Sequence, residues 1–150
     1  MKLETPRPLK IEHEELHEML RKATEEPGEL GNAAKAVAKL MHPHFLKEEE
    51  YALPPLGLLH NLAEGKVTPD MKEVLGLTDK LKADLSEMLA EHKSIVAALE
   101  NLSAAANEAG KTEYADFAKA LMLHAQTEEE VSYPAALLIG EYVREKLRPR

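Results

Sequence analysis

The chain has 150 residues, 44% of them hydrophobic, with no Cys, no Trp and a formal net charge of −8, a length at which one domain buries roughly two-thirds of its unfolded surface. Without thiols it can build no disulfide, Fe–S cluster or thiolate zinc site, and its acidic balance and few aromatic rings argue against a nucleic-acid partner. No run approaches the roughly 18 apolar residues of a membrane span, and MKLETPRPLKIEHEE has no signal-peptide core, so the expectation is a single soluble, cytoplasmic domain over residues 1–150 with no membrane partner.

Leu, Ala, Glu and Lys dominate, β-branched residues are sparse, and breaks fall at EEPGELGN, EGKVTPD and EAGKT, which predicts four helices and no strands. The first runs from about Leu9 to Glu25, entered after Pro8, and the second from about Asn32 to about Ala63. The third opens at Thr68-Pro69-Asp70, an N-cap followed by proline at the first helical position, and ends before Gly110, with Gly76 and Thr78 as points where it could break. The fourth opens at Thr112 and continues to about Leu147. Short connections between long helices favour antiparallel neighbours, hence an all-α, up-down-up-down four-helix bundle.

Pro43, Pro54 and Pro134 fall inside these helices, where a proline removes a backbone bond and bends the helix at a cost of about 3 kcal/mol. Two of them are related by an internal repeat. HFLKEEEYALP from His44 and HAQTEEEVSYP from His124 are 80 residues apart and carry His, three Glu and Pro at identical offsets. Glu12-His13 with Leu16 and Leu20 is echoed, 79 residues on, by Glu91-His92 with Ile95 and Leu99. The chain reads as two copies of one helix pair, each supplying a lone His and then an HxxxEEE segment.

Residues four apart on a helix share a face, so His44 pairs with Glu48 and His124 with Glu128. Around His92, the residues Leu85, Met88, Leu89, Ile95, Val96 and Leu99 lie within about 60° on the helical wheel, which turns His92 into the core. The same test aligns Phe117, Ala120 and Val131 with His124, and Leu40 and Tyr51 with His44. Four histidines and two carboxylates then converge in an apolar interior with no Lys or Arg on their stripes, and buried carboxylates demand a counter-charge. A bound cation supplies it. Six ligands exceed the four of a structural zinc but suit two metals sharing bridging carboxylates, and mixed imidazole and carboxylate ligation with open positions suits iron or manganese. An open position in an aliphatic pocket could take O2, NO or a peroxide.

The set His13, His44 with Glu48, His92, and His124 with Glu128 resembles the H…HxxxE…H…HxxxE signature of hemerythrin-like, or HHE cation-binding, domains over nearly the whole chain. The resemblance implies a centre of two iron ions, with manganese or zinc as substitutes, in which Glu48 and Glu128 bridge the metals and the four histidines fill outer positions. It also implies a small diatomic ligand, O2 or NO, or a peroxide. The invertebrate oxygen carriers have an HxxxH pair on the third helix, whereas here Val96 stands four residues after His92. In this the chain is more similar to the bacterial and archaeal branch, including the iron–sulfur repair proteins, although it has no counterpart of their Cys-containing segment.

Around these six, His17 shares the face of His13 but its repeat mate is Val96, so it is read as a surface or supporting residue. His42 and His60 are left outside the site. Tyr51 is read as a core tyrosine, with a hydrogen bond into the site as the alternative. Glu12 and Glu91 are read as solvent-exposed, with orientation of a histidine as the alternative, and Glu49, Glu50, Glu129 and Glu130 as a solvated acidic rim. Two functions stay open: a module that binds O2 or senses NO or redox state, and an enzyme or iron-handling protein using the same centre. A metal-free interaction bundle is disfavoured by the buried carboxylates.

Overall fold

A computed structural model describes residues 2–149, so both ends of the expected 1–150 domain, Met1 and Arg150, lie outside the described residues. Among the described residues every regular element is helical. Four arms follow one another. Helix α1 (Arg7–Thr24) is the first arm. The second comprises α2 (Gly28–Lys47), a π-helical turn (Glu48–Ala52), a 3-10 turn (Pro54–Leu58) and α3 (Leu59–Ala63). A 3-10 turn (Pro69–Glu73) and the long α4 (Val74–Glu108) make the third, and α5 (Thr112–Thr127), a second π turn (Glu128–Ser132) and α6 (Tyr133–Lys146) the fourth.

The arms pack in chain order, α1 on α2, α2 on α4 and α4 on α5, and α5 returns to α1 to close the ring. This is the up-down-up-down bundle that short connections dictate. At one end Lys111 Nζ lies 2.7 Å from Glu26 and Tyr114 Oη donates to the same carboxylate at 3.1 Å, tying the α1–α2 corner to the α4–α5 corner. Gly110 makes that second corner with φ +72°, a conformation that a residue with a Cβ resists. Near the opposite end Gly140 lets α6 press against α4: a Cβ there would meet Thr78 Oγ1 at 2.2 Å.

Three local expectations need correction. Thr68 stands at the expected N-cap with Pro69 after it, but it caps no backbone amide: its hydroxyl bonds the Asp70 carboxylate instead. Gly76 and Thr78 do not interrupt the third arm, because Thr78 is buried against α6 and the helix runs unbroken from Val74. The prolines at 54 and 134 do not bend α-helices. Each is the second residue after a π turn, and the carbonyls four residues before them, of Glu50 and Glu130, belong to those turns. A proline ring clashes with that carbonyl in an α-helix, and a wider turn with i to i+5 bonding, such as Leu53 N–H to Glu48 O at 2.9 Å, relieves the clash.

The apolar core is divided. One cluster, containing Leu20, Val37, Phe45, Ile95, Leu99 and Leu121, fills the end near Glu26 and Lys111. The other, containing Leu56, Leu81, Met88, Tyr133, Ile139 and Val143, fills the opposite half. Between them the interior holds His13, His44, Glu48, His92 and Glu128.

Candidate metal centre

The six residues singled out in the sequence come together at this polar waist. His44, Glu48, His92 and Glu128 form one group whose ligand atoms all lie within 4.8 Å of one another, and His13, His124 and Glu128 form a second. Glu128 belongs to both. Its Oε1 is 3.2 Å from His92 Nε2, while its Oε2 is 3.2 Å from His124 Nε2 and 3.6 Å from His13 Nε2. Glu48 Oε2 is 3.6 Å from His44 Nε2 and Glu48 Oε1 is 3.8 Å from His13 Nε2. Both carboxylates therefore reach across the two groups, with Glu128 the closer.

All four histidines turn Nε2 inward. His44 and His92 bring these nitrogens within 2.9 Å, and His13 and His124 within 3.2 Å. Three of the rings are held from behind. Nδ1–H of His44 donates to Glu91 Oε1 at 2.8 Å, Nδ1–H of His92 donates to Glu129 Oε1 at 3.0 Å, and Nδ1–H of His124 donates to Glu12. A neutral ring that donates from Nδ1 presents a lone pair at Nε2, so in their neutral forms His44 and His92 oppose lone pair to lone pair. Glu48 Oε1 and Glu128 Oε2 are fully buried with no hydrogen-bond partner among the described residues. Inward lone pairs and orphaned carboxylate oxygens, with no Lys or Arg paired to either glutamate among the described residues, are the donor set that a hard or borderline cation requires.

The electrostatics express the same crowding. Burial, then the charge of neighbouring Glu128, pushes Glu48 up to about 7. Burial also disfavours charge on Glu128, but its contacts with Glu48, His124, His13 and His92 hold it well below the usual carboxylate range. Of the two, Glu128 carries the negative charge and Glu48 the proton, as close carboxylates require. Burial opposes a charged His124, yet Glu128 outweighs it and raises the ring to about 9. His44 is likewise raised by Glu48 and Glu91 against its burial.

Several neighbours differ from their sequence reading. Glu12 and Glu91 do orient histidines, though not the adjacent ones: each serves the partner helix of its repeat relation, Glu12 holding His124 and Glu91 holding His44. Glu129 leaves the acidic rim to hold His92. Tyr51, by contrast, is the core tyrosine expected: it is buried and donates to Asp84 at 2.7 Å, outside the site. Val131 is 59% exposed and Ala120 and Leu40 are exposed too, so none of the three lines the centre. An α-helical wheel misplaces Val131 because the π turn inserts one residue, which rotates everything beyond it by about 100°. His17 is exposed against Phe45, with ring centroids 5.9 Å apart, and His42 and His60, left outside the site, are exposed.

The same rotation delivers the residue that sequence reading missed. Tyr133 is fully buried, donates to Glu48 Oε2 at 2.6 Å, and lies 3.3 and 3.2 Å from Nε2 of His44 and His92. Burial and the adjacent Glu48 and Glu128 raise its pKa and keep the phenol protonated. Its repeat mate is Leu53, so the repeat offered no cue. The signal was the pair of prolines, which mark where helical register slips.

The model of the Hemerythrin HHE cation binding domain family matches residues 6–136, a span that holds all six residues. No curated protein and no solved structure matches the chain.

Proposed function

Since the chain belongs to the hemerythrin HHE cation-binding family, we propose that it is a di-iron protein whose centre reversibly binds O2 or senses NO or redox state, the whole chain acting as one domain around that centre. The observation that carries this reading is the pair of buried His and Glu groups sharing Glu128, with carboxylate oxygens that have no hydrogen-bond partner among the described residues. His44, His92, Glu48 and Glu128 would hold one ion, and His13, His124 and Glu128 the other. Bound ferrous iron would supply open coordination positions for O2, NO or a peroxide. The chain's own contribution is positional: Glu91, Glu129 and Glu12 accept the Nδ1 protons and aim each Nε2 inward, while the two apolar clusters exclude water from either side.

Tyr133 favours a second reading, in which the same centre turns over peroxide or NO. A protonated phenol within 3.3 Å of two inward Nε2 atoms is a positioned proton donor. One experiment separates the two: metal analysis and optical spectra of anaerobically iron-loaded protein before and after air. Two irons with a spectrum that cycles on deoxygenation support reversible binding, and irreversible oxidation with peroxide consumption supports turnover. Failure to take up ferrous iron refutes both.

A further inference from the structure

His13 stands apart from the other three inward histidines. Its Nδ1 is buried and has no hydrogen-bond partner among the described residues, although a buried polar atom is costly to leave unpaired. The repeat says what belongs there. Glu129 holds His92, and the residues at the matching positions of the other repeat are Glu49 and His13. Among the described residues Glu49 makes no hydrogen bond or ion pair. It lines, together with His13 and Glu14, both a cleft of about 810 Å³ and a smaller one of about 300 Å³. Phe45 lines the smaller cleft beside Glu49, and its ring covers His13 with centroids 4.9 Å apart, so Glu49 and this ring border one opening. At the matching position the fourth arm has Ala125, which leaves Glu129 an unobstructed approach to His92.

We propose that Glu49 is the positioning residue for His13: in the metal-loaded protein its carboxylate accepts the Nδ1–H of His13, completing a set of four outer carboxylates. This rests on the two-metal reading above. Because both clefts reach solvent at this point, the Glu49–His13 contact also stands where the His13–His124 half of the centre meets the outside. Outer-sphere partners of metal-bound histidines change metal affinity by roughly 10–100-fold, and the effect here is confined to the half that His13 serves.

Zinc, being diamagnetic, is the probe. Wild-type protein, E49A and E49Q are titrated with zinc, and the loaded forms are compared by NMR of 15N-histidine-labelled protein. The expected result is two ions in the wild type and a slowly exchanging Nδ1–H signal for His13 beside those of His44, His92 and His124. E49A loses the His13 signal alone and weakens one zinc step by roughly 10–100-fold, and E49Q, which keeps an acceptor oxygen, recovers the signal and most of the affinity. An E49A protein with the wild-type signal and both zinc steps unchanged overturns the proposal. Wild-type uptake of fewer than two ions overturns the two-metal reading instead, and the His13 signal in E49A then still decides the Glu49 contact.

Discussion

Replacing Glu128 by Ala should damage the centre more than replacing Glu48 by Ala, although the two occupy equivalent positions in the repeat. Glu128 belongs to both potential metal groups, with oxygens 3.2 Å from two histidine Nε2 atoms and 3.6 Å from a third, whereas Glu48 belongs to one group and lies 3.6 and 3.8 Å from its two histidines. Loss of an outer-sphere partner weakens metal binding by roughly 10–100-fold, so loss of a direct ligand shared by two ions should exceed about 100-fold, or about 2.8 kcal/mol, at each. E128A is then expected to retain neither ion after gel filtration, while E48A retains one, held by His13, His124 and Glu128. Anaerobic calorimetric titration with ferrous iron, backed by metal analysis of the recovered protein, gives stoichiometry and affinity together. Equal losses in the two variants, or the larger loss in E48A, would show that the shared position of Glu128 does not govern occupancy.

Tyr133→Phe removes the 2.6 Å donation to Glu48 from a fully buried pocket, which should lower the stability of the zinc-loaded protein by about 1–3 kcal/mol in denaturant titrations; Tyr51→Phe, which loses contacts to Asp84 and Met88 but none to the site, should leave zinc affinity unchanged. Gly140→Ala drives a Cβ into Thr78 and should destabilise by about 1–3 kcal/mol, with the double variant G140A/T78A recovering most of the loss if the clash is the cause. In chelator-treated protein the ring of His124, raised from 6.5 to about 9, contributes stability that is complete below about pH 6.5 and lost as pH rises through about 9. Zinc affinity should move oppositely, rising over the same window because ligation releases those protons. Thermal melts of the metal-free and zinc-loaded forms at both ends of the window test this, and metal-free protein that gains stability toward pH 9 would contradict the assignment.

The ligand candidates were legible because chemistry and periodicity coincide in them. His44 with Glu48 and His124 with Glu128 are spaced for one helical face, and both π turns begin only at the glutamates, so α-helical geometry holds from histidine to glutamate. The aliphatic stripe around His92 likewise lies on an uninterrupted α-helix, and Met88, Ile95 and Leu99 are buried as that pattern requires. Beyond Glu48 and Glu128 the wheel fails, which is why Val131 was misplaced and Tyr133 was missed.

What the sequence by itself determined is the helical class, the antiparallel order of arms and the convergence of His13, His44, Glu48, His92, His124 and Glu128, since all of these depend on local spacing and on where apolar residues recur. Only the tertiary structure decided that Tyr133 rather than Tyr51 faces the centre, that Glu12 and Glu91 hold histidines on other helices, and that Glu128 is shared more closely than Glu48. Those outcomes depend on a one-residue slip of helical register and on contacts between arms more than 30 residues apart, which no periodicity within a single helix encodes.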